Sequence, residues 1–202
     1  MKTRSLLIGV VSAMALLMVV SSVRADSTIT YLLDTGNTGI SGYDSDGPFG
    51  EVEVDLTSPS TAFITFTALS GGGYDFLFGD VALNVNATQY RLSRGGIDVQ
   101  NRYPGFIVGE YTYTQESSTH HNQQDGFGRF SDLISIEHGY KASATTVSFL
   151  VSNIGGTWPD AASVLAPNNA LYTVAAKVFV ADAPANPHAN AVAGSFAANG
   201  EP

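Results

Sequence analysis

Three groups of side chains in this chain have types and spacings that could do chemistry. In Leu32-Leu33-Asp34-Thr35-Gly36 an aspartate precedes a hydroxyl and a glycine, as in acid hydrolysis of peptides, where two carboxylates share one proton across a water. No second Asp-Thr-Gly or Asp-Ser-Gly occurs, so that chemistry would need two copies of the chain. A turn ending a strand is the better account. Downstream, Asp44-Ser45-Asp46-Gly47 sets hard oxygen ligands among glycines, with Asp34, Asn37 and Glu51 nearby, and this is the donor set calcium prefers. Pro48-Phe49 interrupts the segment where a calcium loop would run on, and the closing glutamate is absent. It reads as a solvated acidic turn, with calcium at Asp34, Asp44 and Asp46 as the alternative. Asp75 and Asp80 are weaker oxygen donors for the same ion. Finally, Trp158 stands beside Pro159 in a connection, and Tyr103 and Tyr140 fall in loops, as Tyr111 and Tyr113 decorate a strand. Exposed rings of this kind stack on sugar faces while polar rims hydrogen-bond. Core packing is the commoner fate of a lone tryptophan.

Other reactive residues lack partners at useful spacing. His120-His121 would point to opposite sides of an extended loop, and His138 and His188 stand apart, so no zinc set forms. There is no Gly-x-Ser-x-Gly elbow, and the glycine runs 71–73 and 95–96 lack the helix start of a phosphate cradle. Glycosidase chemistry needs only two facing carboxylates, which sequence cannot place. No catalytic residue is assigned and no cofactor is required.

The elements that must position these residues are strands. Residues 50–56 alternate Val52, Val54 and Leu56 with Glu51, Glu53 and Asp55, the pattern of a strand with one face in a core and one in water. After the turn-forming Ser58-Pro59-Ser60, residues 61–69 set Ile64 and Phe66 against Thr65 and Thr67, which predicts a hairpin. Further strands are predicted at 28–33, 75–78, 81–86, 106–114, 133–137, 146–152 and 172–181. Pro159 and Asp160 predict one short helical turn over 159–165. Residues 91–104 and 115–128 read as surface loops, and residues 183–202 as a tail with one last strand near 193–197. Many short strands without intervening helices predict an all-β antiparallel β-sandwich of jelly-roll type, with a barrel as the alternative.

Composition narrows the setting. Lys2 and Arg4 lead into an apolar run to Val20, and Val23-Arg24-Ala25 offers small residues for cleavage, so residues 1–25 read as a signal peptide. The remaining domain, 26–182, and its tail carry six Lys and Arg against eighteen Asp and Glu, a formal charge of −12. That balance argues against nucleic acid and anionic lipid, whose binding rests on cations. No later run is long enough to cross a bilayer, so no stable membrane insertion is expected after cleavage. The absence of cysteine means the fold holds without disulfides outside the reducing compartment.

Taken together, the blocks at 71–87 (GGGYDFLFGDVALNVNA), 125–140 (DGFGRFSDLISIEHGY), 156–168 (GTWPDAASVLAPN), 175–181 (AAKVFVA) and 194–200 (GSFAANG) resemble exported bacterial proteins of the PEP-CTERM, exosortase-sorted type. The resemblance implies a surface or extracellular-matrix protein associated with exopolysaccharide. Such proteins usually finish with a Pro-Glu-Pro-like motif, an apolar segment and a basic cluster, whereas this sequence stops at Gly200-Glu201-Pro202. The expectation is a secreted or surface-located, non-enzymatic protein, with the periplasm as a second location. A carbohydrate-binding module using Trp158, Tyr103 or Tyr140 is the alternative function, and a hydrolase ranks behind both.

Overall fold

The computed structural model describes residues 27–115, 122–136 and 139–199. In chain order its strands are β1 (Thr28–Leu33), β2 (Thr35–Gly36), β3 (Gly50–Ser58), β4 (Thr61–Ala68), β5 (Ser70–Gly71), β6 (Tyr74–Leu83), β7 (Tyr90–Leu92) and β8 (Asp98–Gln100). They continue with β9 (Thr112–Gln115), β10 (Asn122–Gln124), β11 (Gly128–Phe130), β12 (Asp132–Ser135), β13 (Thr146–Asn153), β14 (Val174–Asp182) and β15 (Val192–Ala198). The first sheet, A, has the order β1-β3-β4-β13-β7, with β8 also on β13. The second, B, has the order β2-β15-β14-β6-β12-β9, with β5 on β6. All recorded pairings are antiparallel, and the two sheets pack face to face as the predicted sandwich. These orders leave the jelly-roll subtype unassigned.

The β3–β4 hairpin forms as its alternation dictates. Val54 stands opposite Ile64 and Val52 opposite Phe66, and all four are fully buried. Burying each such side chain contributes roughly 1.5–3 kcal/mol. Their alternates, Glu51, Glu53, Asp55, Thr65 and Thr67, form the outer face of sheet A. From sheet B the core receives Phe76, Phe78, Val178 and Val180, and the Phe66 and Phe78 rings meet edge-on across the interior at 6.3 Å.

Several expectations are corrected. The strands predicted at 75–78 and 81–86 are one, β6, which continues through Gly79 with a register shift against Lys177 and Val178. Glycine is required there because a Cβ would lie 2.8 Å from the Phe179 ring. The strand predicted at 106–114 survives only as β9: Gly105 and Gly109 adopt positive φ, and Phe106 turns inward to become buried. The loop expected at 91–104 contains β7 and β8, drawn onto β13 by the burial of Leu92 and Val99. The loop expected at 115–128 contains β10 and the turn to β11, while residues 116–121 lie outside the described residues.

The last strand is present as β15 and lies inside sheet B, between β14 and β2. The short turn is 3-10 at Ala161–Ser163, capped by Asp160, whose Oδ1 accepts from the Ser163 amide at 2.8 Å. Residues 1–26, including the predicted signal peptide, lie outside the described residues. Among the described residues no helix is long and apolar enough to cross a membrane.

Candidate functional site

Sheet B hides its outer face as well as its inner one. Strand alternation sends Leu77, Phe179 and Ala181 outward, and the loops 101–109 and 183–191 fold over them with Phe106 and Ala185. Ala82 and Ala175 also point outward and are covered by Phe127 and Phe130 from the β10–β11 hairpin. Between these two covered patches lie Asp80 and Lys177, which are register partners.

The first patch gathers two of the sequence candidates. Tyr103 lies 6.4 Å from Phe106, Phe106 meets Tyr140 edge-on at 5.4 Å, and Tyr140 reaches Phe179 at 5.7 Å. Both tyrosines are half-buried, with the Tyr140 hydroxyl itself enclosed. Cations rim the cluster: the Arg102 guanidinium lies 5.1 Å from the Tyr103 ring centre and the Lys177 ammonium 5.7 Å from that of Phe179. Lys141 follows Tyr140 in the same 3-10 turn. Half of the six cations after residue 25 thus belong to this region of an acidic chain.

Asp75 anchors the patch from beneath. It is 3 % exposed, its Oδ1 accepts from Ser70 Oγ at 2.5 Å, and its Oδ2 accepts from the Ala185 amide at 2.7 Å. Arg102 Nη2 stands 3.9 Å from Oδ1 and donates to Ser70 Oγ at 2.8 Å. Burial alone would push the Asp75 carboxyl up, but the Ser70, Tyr103 and Ala185 hydrogen bonds and the Arg102 charge outweigh it and hold it low. Burial and the hydrogen bond to Asp75 push the Tyr103 hydroxyl up. The carboxylate therefore stays charged and fixes the loop at Ala185 and the ring of Tyr103 together.

A second buried carboxylate was not singled out by sequence. Asp132 is fully buried at the start of β12. Its Oδ1 accepts from Tyr113 Oη at 2.6 Å, and its Oδ2 from Tyr90 Oη at 2.7 Å and Ser131 Oγ at 2.6 Å. Tyr90 comes from β7 of sheet A and Tyr113 from β9 of sheet B, so the carboxylate ties the layers at one flank. Burial pushes Asp132 up despite these three donors. Tyr90 is pushed up to about 12 by burial and the Asp132 charge, and Tyr113 is raised for the same reasons. Extending the alternation of Ile136 and Ile134 back by two residues lands on Asp132, and that phase was the available signal.

The remaining candidates separate. Trp158 is 3 % exposed, with its Nε1–H donating to the Asn86 carbonyl at 2.8 Å, so its ring is core and offers no sugar platform. Asp34 lies at the exposed β1–β2 junction, where Thr35 Oγ1 donates to it at 3.2 Å; it ends a strand as expected. The side chains of Asp44 and Asp46 lie outside the described residues, as do His120, His121 and His138. Among the described residues no group of three or more His, Cys, Asp or Glu converges as a metal site. Asp75 and Asp80, weaker calcium candidates, are instead engaged by Ser70 and by Ser135, whose Oγ donates to Asp80 Oδ1 at 2.6 Å.

No protein-family model, no curated protein and no solved structure matches the chain.

Proposed function

We propose that the protein is an exported, non-enzymatic β-sandwich of the cell surface or extracellular matrix, contacting polysaccharide through the Tyr103–Tyr140 patch. The observation that carries this reading is the convergence of these two rings with Arg102 and Lys177 on one covered sheet face. A sugar presents an apolar face to such rings and hydroxyls or acidic groups to the surrounding donors. The apolar segment at residues 6–20 supports export, and the resemblance to PEP-CTERM proteins supports the association with exopolysaccharide.

The test is retention on immobilised neutral and acidic polysaccharides, compared between the wild type and Tyr103→Ala, Tyr140→Ala and the double variant. Each single change weakens binding about tenfold, equivalent to roughly 1.4 kcal/mol, while thermal melts confirm that the sandwich persists. Undiminished retention in the double variant, or no retention on any polymer, refutes the site. Saturable binding to one defined glycan would assign a dedicated carbohydrate-binding module in place of a matrix component. Release of reducing ends or peptides would favour a hydrolase. Fractionating the producing cells tests the surface location separately.

A further inference from the structure

Sheet A ends on a strand that is long and uncharged, and no described residue pairs with its outer edge. An unpaired strand edge invites another strand, and proteins blunt such edges by keeping them short, charged or bulged. The other outer strands of the two sheets follow that rule. β7 and β8 have three residues each, β2 two and β9 four, and Arg91 and Asp98 mark the first two. β1 has six residues, Thr28-Ile29-Thr30-Tyr31-Leu32-Leu33, with no charge, glycine or proline.

The register shows which backbone groups are on offer. Thr28 stands opposite Asp55, and the Leu56 amide donates to the Ser27 carbonyl, which makes Thr28–Asp55 a non-hydrogen-bonded pair. By alternation Thr30 and Leu32 are likewise unbonded to β3, and their N–H and C=O groups, with those of Thr28, point away from the sheet. Beyond the β3 ladder, no hydrogen bond to a described residue reaches the backbone of these three. Leu32, beside this edge, is 45 % exposed.

An apolar cleft of about 490 Å³ runs along the inner side of β1, between Ile29 and Tyr31 and the segment carrying Leu165, Pro167 and Leu171. Leu171 holds a positive φ of 70°, which a bulky residue adopts only under constraint. The Asn168 side chain supplies that constraint, its Oδ1 accepting from the Ala170 and Tyr172 amides at 2.9 and 3.1 Å. The turn thus keeps an apolar side chain, 59 % exposed, at the rim of the cleft.

We propose that β1 pairs antiparallel with β1 of a second copy of this chain, joining two A sheets across a twofold axis centred on Thr30. Thr30 then faces Thr30 of the other copy, and Thr28 faces Leu32, which satisfies the outward groups with about six backbone hydrogen bonds. Ile29 falls beside Tyr31 of the second copy, an aromatic and β-branched pair of the kind that stabilises sheets. Both inward-pointing side chains would extend over the cleft. A copy of this strand suits the edge because the six facing residues are uncharged in an otherwise strongly acidic chain, so the paired strands themselves set no like charges opposite each other and Asp34 falls beyond them at each end. The same register holds the two Asp34 residues roughly 27 Å apart along the strands, so the pair does not assemble a carboxylate dyad.

The chain has no cysteine, so single thiols report the register. Purified Thr30→Cys should form a disulfide-linked dimer under mild oxidation, since residues facing each other here have Cα atoms about 5.5 Å apart. Thr28→Cys, which faces Leu32, and Phe63→Cys, exposed away from the edge, should stay reduced. By sedimentation the wild type should form dimers that strengthen with salt, as screening weakens the repulsion. Thr30→Pro, which removes an outward N–H from an edge strand, should halve the apparent mass without unfolding the sandwich. The pairing is refuted if the wild type stays monomeric throughout, if Thr28→Cys or Phe63→Cys cross-links as readily as Thr30→Cys, or if folded Thr30→Pro remains dimeric. Polysaccharide binding plays no part in these readouts, so they stand or fall separately from the Tyr103–Tyr140 site.

Discussion

Two regions of sheet B bury an aspartate, and they resolve the same problem in opposite ways. At Asp75 the partners include a backbone amide and a guanidinium, groups that can only donate. At Asp132 the partners are the hydroxyls of Tyr90, Tyr113 and Ser131, which donate or accept according to how they rotate. The first environment demands a charge and holds the carboxyl low; the second, without a cation against the carboxylate, lets burial raise it. Burial alone therefore does not decide protonation. The Arg102 charge and the Ala185 amide, which the Asp132 site lacks among the described residues, make the difference.

The sharpest way to break this contrast is Asp75→Asn. An amide replaces one acceptor oxygen by a donor, and at this site that donor faces either the Ala185 N–H or the side of Ser70 and Arg102. Turned toward Ala185 the new N–H meets another donor, and turned toward Ser70 it keeps a hydroxyl acceptor but the charge that faced Arg102 is gone, at a cost of about 1–3 kcal/mol either way. The melting temperature should fall by roughly 5–10 °C, and the loop carrying Ala185 should lose protection in hydrogen exchange. A melt unchanged from wild type would show that the anchor at Asp75 is dispensable.

Smaller is the effect of Tyr113→Phe, which removes one of three donors to Asp132 and leaves the ring in place. The loss should be about 1–1.5 kcal/mol, and the carboxyl of Asp132 should rise further because its charged form loses a hydrogen bond. Titration of Asp132 by carbon-13 NMR in the two proteins measures this directly. An unmoved or lowered midpoint would contradict the assignment of Tyr113 as a donor to the charged form.

These two regions also mark where sequence is legible and where it is not. Period-two alternation placed Val52, Val54, Ile64 and Phe66 in the interior, because a strand has one side in the core and one out. The same rule misread residues 106–111, where glycines at positive φ bend the chain and a phenylalanine caps the far side of sheet B. It did not anticipate that sheet B would be covered on both faces, since the covering pieces come from loops distant in sequence. Tyr103 and Tyr140 were recognisable as aromatic candidates, but their convergence with Arg102 and Lys177 depends on that covering layer. Trp158, for which core packing was the expected fate of a lone tryptophan, is indeed core, its indole N–H finding the Asn86 carbonyl.

The finest distinction lies in the pH dependence of stability. An unfolded aspartate titrates near pH 4. Asp132 and Asp80 are raised in the fold, so between pH ~4 and their folded values the native state holds protons that the unfolded chain has released. Their contribution to stability is therefore greatest below that window and declines as pH rises through it. Asp75 is lowered; its contribution is complete above pH ~4 and is lost as pH falls through its folded value. Melting temperature should thus climb as the pH falls through the folded values of Asp132 and Asp80 toward pH ~4, and then drop. Asp132→Asn imitates the protonated state, since the amide can donate to a hydroxyl that turns to accept it. The variant should match wild type once the pH has fallen below the folded value of Asp132 and exceed it by up to about 1 kcal/mol above that value, flattening the climb while leaving the acid drop intact. A climb as steep in Asp132→Asn as in wild type would place the proton elsewhere, with Asp80 as the other raised carboxyl among the described aspartates.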